Sequence, residues 1–376
     1  MSLDGTAGRL GDVLLGAVGA CGIDLPGGAE AEAARARLAL PRSRKACVVL
    51  VDGLGAYNLV DRASRAPFLS GEERLRSVRT TFPSTTATNV TYLGTGREGG
   101  RTRMLGYTVR GGGGGLLNLV SWNGTADPEQ WQPEATVFER LERAGHVAVS
   151  VGPWRFADSG LTRAALRGGE YSPAQSLPER VDTALRELRD PHVDVVYLYW
   201  GELDAIGHRA GWQCAEWSDE LEAIDTELAR LARMLPPGTL LMVTADHGMV
   251  DVPATERTDI AEDDRLRRDV DLVAGEPRAV HLYTRPGRAD QVAARWREVL
   301  GDSVDVRARA ELLTSGLIGD VTPQARDVVG DVVVIARGRH AVVDSRSQSA
   351  SSLALIGMHG ALTAEETTVP LVTVAG

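Results

Sequence analysis

Four short segments carry side chains that bind cations, and a fifth carries hydroxyls. Val51-Asp52-Gly53 puts a carboxylate at the end of an apolar run. Asp204-Ala205-Ile206-Gly207-His208 spaces a carboxylate and an imidazole by four, which on a helix sets both on one face, able to chelate one ion. Thr244-Ala245-Asp246-His247-Gly248-Met249 follows another apolar run, and Gly248 permits the backbone turn that would let both Asp246 and His247 face one ion. Gly357-Met358-His359-Gly360 sets an imidazole between glycines. Each segment alone also reads as a turn, a helix cap, a surface ion pair or a plain loop. Together they give three carboxylates and three imidazoles, a donor set suited to borderline cations, zinc first, with manganese or iron also accommodated.

The fifth segment, Phe82-Pro83-Ser84-Thr85-Thr86-Ala87-Thr88-Asn89, supplies a nucleophile. A neutral hydroxyl attacks poorly, but a coordinated cation makes its alkoxide accessible near neutral pH. The helical-looking stretch ATNVTYLGTG would put Thr86 near a helix N-terminus, where amide N–H groups favour a phosphoryl group. The competing role is a threonine-rich helix cap.

These segments need a scaffold that brings distant chain together. Residues 46–51 form a continuous apolar run that predicts a strand buried on both faces, and 146–151, 193–199 and 239–244 repeat the pattern. Helical periodicity appears over 134–144, 178–189 and 216–234, the last with Leu221, Ile224, Leu228 and Leu231 on one face. The alternation predicts an α/β fold, a doubly wound and mainly parallel sheet flanked by helices, with ligands at the carboxyl ends of strands. Residues 1–45 read as a helical lead-in, 46–250 and 346–376 as the catalytic core, and 251–345 as a smaller inserted α+β subdomain. Five glycines at 111–115 read as a flexible or hairpin loop between LGYTV and LLNLV. No G-K-[ST] follows them, which disfavours a phosphate cradle.

Composition narrows the function. A net charge of −10 makes a nucleic-acid polymer a poor partner, but not a small phosphorylated substrate once cations are bound. Three cysteines without C-x-x-C spacing predict unpaired thiols in a reducing compartment. The amino-terminal stretch lacks the basic start of a signal peptide and no apolar run reaches membrane-spanning length, so a cytoplasmic enzyme is the expectation. Its oligomeric state is not legible.

With these residues in view, the chain resembles the alkaline phosphatase superfamily, and within it the nucleotide pyrophosphatase/type I phosphodiesterase branch. The motifs D-G, D-x-x-G-H, D-H-G-M and x-H-G occur in the family's order over roughly 46–250 and the last ~20 residues. Phe82 to Asn89 fits the family frame Y-P-x-x-T-x-P-N, with Thr95-Gly96 following. That frame selects Thr86 over Thr81, Ser84 and Thr85. The resemblance implies two divalent metal ions: Asp52, Thr86, Asp246 and His247 on the first, Asp204, His208 and His359 on the second. It implies attack by Thr86, a phosphothreonine, and Asn89 donating to a phosphate oxygen. The chain departs from the frame at Ala87, where nucleotide-cleaving relatives carry a base-stacking aromatic residue, and at Thr88, where they carry proline. Trp154 and Phe156 could replace that stacking surface or simply pack.

The expected reaction is therefore hydrolysis of a phosphodiester or pyrophosphate. Two divalent cations balance three carboxylates and one alkoxide, so a singly charged diester fits more easily than a dianionic monoester. A phosphomonoesterase or phosphonate hydrolase of the same superfamily is the alternative. A sulfatase is disfavoured by the lack of a C-x-P-x-R or S-x-P-x-R motif. The competing class, a metal-binding protein without catalysis, is opposed by the intact Thr86 and Asn89.

Overall fold

The computed structural model describes residues 6–71, 73–122 and 126–376. In chain order the main strands are β1 (Thr6–Arg9), β2 (Lys45–Val51), β3 (Leu75–Arg79), β4 (Val147–Gly152), β5 (Glu170–Pro173), β6 (Val193–Trp200), β7 (Thr239–Thr244), β8 (Val270–Glu276), β9 (Ala279–Thr284), β10 (Val304–Ala308), β11 (Val332–Ala336) and β12 (Thr368–Ala375). The principal helices are α1 (Gly11–Ala20), α2 (Glu30–Arg37), α3 (Thr86–Thr95), α4 (Leu177–Arg189), α5 (Glu202–Ala210), α6 (Ala215–Arg233) and α7 (Ala289–Leu300).

Eight strands form one sheet in the order β1-β3-β12-β7-β2-β6-β4-β5. The apolar runs become its centre: β2 pairs in parallel with β6 and β7, and residues 46–51 are buried throughout. β4 and β5 extend the parallel run. β12 is the exception, lying antiparallel between β3 and β7. This is the mainly parallel, helix-flanked α/β architecture that the alternation of runs predicts.

The amino-terminal stretch is more than a helical lead-in. β1 forms the sheet edge against β3, and α1 is buried along its whole length. Gly11 lies so close to the Tyr92 ring of α3 that a Cβ there would fall 2.3 Å from it. The lead-in thus backs the helix that carries Thr86.

A second, antiparallel sheet runs β8-β9-β11-β10, with Val292, Ala293, Trp296 and Leu300 of α7 packed on it. The five glycines sit in a hairpin between Thr108–Arg110 and Leu116–Asn118, which pair antiparallel. Met104, Leu105, Val109 and Leu117 pack with Val333 and Ile335, so the hairpin region leans on the second sheet. Among the described residues no helix is long and apolar enough to cross a membrane.

Candidate metal centre

The carboxyl ends of β2, β6 and β7 converge on one crevice, and the cation-binding segments arrive there. Asp52 follows β2 directly. Gly53 adopts φ +75°, and a Cβ there would meet the Asp204 side chain at 2.9 Å, so only glycine allows the two carboxylates to close up. Asp204 and His208 lie one turn apart on α5, with Asp204 Oδ2 3.3 Å from His208 Nε2. Asp246 and His247 follow β7. A Cβ on Gly248 would stand 2.0 Å from the Glu365 carbonyl, which keeps that turn tight. His359 follows a short strand, Gly357–Met358, paired antiparallel with Val250–Asp251. That pairing ties the late segment to the chain just beyond His247.

Thr86 opens α3. The helix is rich in threonine because its hydroxyls bond back along it, Thr91 to the Ala87 carbonyl at 2.8 Å and Thr95 to that of Thr91 at 2.7 Å. Ser84 fixes the approach to Thr86: its backbone pairs with Gly360, and its hydroxyl donates to the Ala361 carbonyl at 2.8 Å.

The three imidazoles share one tautomer. Nδ1 of His208 donates to the Gly357 carbonyl at 2.7 Å, Nδ1 of His247 to Gly248 at 3.0 Å, and Nδ1 of His359 to Ser84 at 2.9 Å. A carbonyl only accepts, so each Nδ1 carries the proton and each Nε2 presents a lone pair. The lone pairs of His208 and His359 face each other at 3.3 Å. His247 Nε2 lies 3.3 Å from Asp52 Oδ1, 3.6 Å from Asp246 Oδ2 and 3.1 Å from the Thr86 hydroxyl, which donates to it. The His247 and His359 rings stack with centroids 3.6 Å apart.

Acceptors this crowded call for cations. Asp52 Oδ1, Asp204 Oδ1 and Asp246 Oδ2 are buried without any hydrogen-bond partner. Burial, then the charges of Asp246 and Asp204, push the Asp52 carboxyl well above the usual carboxylate range. Burial also raises Asp246, opposed by His247. Burial, then His247 and His208, pushes the His359 imidazole well below its ordinary value, which keeps it in the neutral, ligating form. Among the described residues, two groups hold donor atoms within 4.8 Å of one another: Asp52, Asp246 and His247, and Asp204, His247 and His359. His208 adjoins the second group. The donor set thus fits borderline divalent cations.

Three further residues expected at the site differ in their surroundings. The Asn89 amide is engaged with the turn before α3: its oxygen accepts from Thr81 N at 2.9 Å, and its nitrogen donates to the Thr81, Pro83 and Thr85 carbonyls at 3.3, 3.1 and 3.3 Å. These contacts brace the 81–85 turn that leads into Thr86. Trp154 is 71% exposed and lies outside the lining of the cavity beside Thr86, whereas Phe156 lines it and meets Tyr199 edge-on.

Other contributors escape motif reasoning. The Tyr199 hydroxyl donates to Asp52 Oδ2 at 2.6 Å. Two tyrosines, 197 and 199, on one face of a buried strand were the available signal, since buried hydroxyls need partners. The fully buried pair Arg278–Glu366 links the second sheet to the ligand loops, since Glu366 accepts from Ala361 N at 2.9 Å and from Gly248 N at 2.9 Å. Beside it, Glu276 accepts from Tyr107 N at 2.7 Å, and burial pushes its carboxyl up to about 8.

This arrangement is an alkaline phosphatase superfamily fold with a candidate carboxylate–imidazole cation site. Within that superfamily the chain belongs to the type I phosphodiesterase / nucleotide pyrophosphatase family, whose sequence pattern matches residues 46–362. Murine ectonucleotide pyrophosphatase / phosphodiesterase 5 shares the fold with a TM-score of 0.70 at 19% identity over 88% of both chains, and an inactive form of it has been solved with AMP. Phosphonoacetate hydrolase from Sinorhizobium meliloti 1021, solved with phosphonoformate, gives a TM-score of 0.68 at 20% identity, covering 89% of this chain and 90% of the other. A phosphopentomutase from Rhizobium meliloti is 34% identical over 122 residues, 31% of this chain. The match spans only 27% of that relative's length.

Proposed function

We propose that the protein hydrolyses a phosphodiester or pyrophosphate bond, with Thr86 as the nucleophile. The observation that carries this reading is the position of the Thr86 hydroxyl: at the start of α3 and 3.1 Å from His247 Nε2, on the rim of the carboxylate–imidazole cluster. Asp52, Asp246 and His247, with Thr86, would hold one divalent cation, and Asp204, His208 and His359 the other. Bound there, zinc ions would supply the positive charge and Lewis acidity that let a hydroxyl ionise near neutral pH. Thr86 Oγ1 then bonds to phosphorus as the ester oxygen opposite departs. Water cleaves the resulting phosphothreonine and restores the hydroxyl. The free amides at the start of α3 favour the phosphoryl oxygens in both steps.

The charge balance supports a diester. Three carboxylates and an alkoxide match two divalent cations, and among the described residues no charged side chain lines the cavity beside Thr86. A dianionic monoester would lack a counter-charge there. A phosphomonoesterase or phosphonate hydrolase is the second reading, favoured by the fold shared with phosphonoacetate hydrolase. Zinc-loaded protein and its Thr86→Ala variant should be assayed on bis-p-nitrophenyl phosphate and p-nitrophenyl phosphate. The expected result is a diester preference, with turnover falling at least ~10³-fold in the variant while its metal content stays unchanged. Faster monoester hydrolysis would move the protein to the second reading, and full activity in the variant would remove Thr86 from the chemistry.

A further inference from the structure

One buried residue reaches both halves of the candidate metal centre without offering a ligand to either. The Glu366 backbone carbonyl accepts from Gly248 N at 2.9 Å. Gly248 in turn fixes His247, whose Nδ1 donates to its carbonyl at 3.0 Å. The Glu366 side chain reaches the other half. Its Oε1 accepts from Ala361 N at 2.9 Å, two residues past His359. The same short segment holds Ser84: Gly360 N donates to the Ser84 hydroxyl at 3.1 Å, and that hydroxyl donates to the Ala361 carbonyl at 2.8 Å. Ser84 leads into Thr86, and its carbonyl accepts from His359 Nδ1 at 2.9 Å.

The carboxylate of Glu366 is itself held from the second sheet. Arg278 sits in the turn between β8 and β9, and both residues are fully buried. Its Nε donates to Glu366 Oε1 at 2.7 Å and its Nη2 to Oε2 at 2.8 Å, a two-pronged grip on one carboxylate. The guanidinium also donates to the His340 and Gly338 carbonyls at 2.6 and 2.9 Å. The Thr363 hydroxyl donates to Glu366 Oε2 at 2.6 Å. Each carboxylate oxygen therefore has two donors, and the group is locked in one orientation. A buried ion pair contributes little net stability against apolar replacements of the same shape. What this pair contributes is geometry, because the carboxylate it fixes in turn fixes a ligand-bearing turn.

We infer that Glu366 is a positioning residue for both halves of the metal centre, and that Arg278 makes its placement depend on the second sheet. The inference rests on the proposed metal-centre reading and deepens it by giving the second sheet a part in assembling the site. The turn after His359 has little slack. Gly360 adopts φ +128°, and a Cβ there would fall 2.6 Å from Glu276 Cγ of β8. A displacement of Arg278 therefore reaches His359 and His247 together, whereas Asp52 and Asp204 are carried by β2 and α5.

The test measures zinc affinity by competition titration with a chromophoric chelator, and stability by urea melts of the metal-free chain. Arg278→Met combined with Glu366→Leu removes both charges at similar volume. The urea midpoint should change little, while both zinc sites weaken by roughly 10–100-fold. Arg278→Lys keeps the charge but loses the fork, and should weaken both sites by less. Thr363→Val removes one donor at a partly exposed position and should give the smallest change of the same sign. Unchanged affinities in all three variants overturn the inference. So does a weakening confined to one site, or one that only tracks a falling urea midpoint. If the unaltered protein binds no zinc, the metal-centre reading fails, and positioning is then judged by amide hydrogen exchange in the metal-free chain. Gly248 and Ala361 amides exchanging at least about 10-fold faster in the double variant uphold it, and unchanged exchange rejects it.

Discussion

The two halves of the candidate metal centre are built differently. Asp52, Asp246 and His247 come from the ends of neighbouring central strands, and the Asp52 and His247 side chains are 4% and 0% exposed. Asp204 and His208 come from a helix, with side chains 15% and 25% exposed, and His359, itself buried, comes from a late loop. The first half is set by the sheet itself and sealed from water. The second depends on α5 and on the short pairing of Gly357–Met358 with Val250–Asp251. A sealed, sheet-borne donor set is preorganised and slow to open. A helix-and-loop set at the water's edge exchanges more readily, which suits the side from which substrate and water come and go.

The largest effect should separate the halves directly. If two divalent cations bind as proposed, Asp246→Asn should remove one per chain and abolish the proposed diester turnover, and His208→Ala should leave two sites but weaken one. Atomic emission after dialysis against graded chelator measures both. Equal loss in the two variants would erase the distinction drawn here. Tyr199→Phe comes next. It takes a 2.6 Å hydrogen bond from Asp52 and, on the proposed two-cation reading, should weaken the cation beside Asp52 by roughly 10–100-fold without touching the other. Competition titration with a chromophoric chelator resolves the two.

The smallest effect lies outside both halves. Between pH 4.5 and about 8 the native Glu276 carboxyl keeps a proton that the unfolded chain releases. Stability therefore falls with rising pH across that window and levels off above it. Glu276→Gln should flatten this slope in urea melts taken at several pH values, and an unaltered slope would assign the carboxyl an ordinary titration.

The scaffold was legible where local pattern decides structure. The runs at 46–51, 193–199 and 239–244 could become only buried strands, and the ligands stand at their ends. Contacts set by distant chain were not legible. The sequence around Asn89 does not reveal that its amide turns back to brace residues 81–85. Nothing near residue 199 names Asp52 as its partner, and the four-residue edge strand β1 is too short and polar to announce itself. The unpaired, buried Tyr197 hydroxyl is likewise a property of what fails to pack against it, which no local pattern encodes.

β12 joins the sheet between β3 and β7, and His359 lies just ahead of it. On the ribosome the chain must therefore wait. Until residue 375 has left the exit tunnel the large sheet remains two separate pieces, and for most of that wait the cluster lacks an imidazole. A nascent chain can pair its parallel strands early, yet the donor cluster stays incomplete until residue 359 has emerged. Completion of the cluster is thus set by the order in which its segments are made.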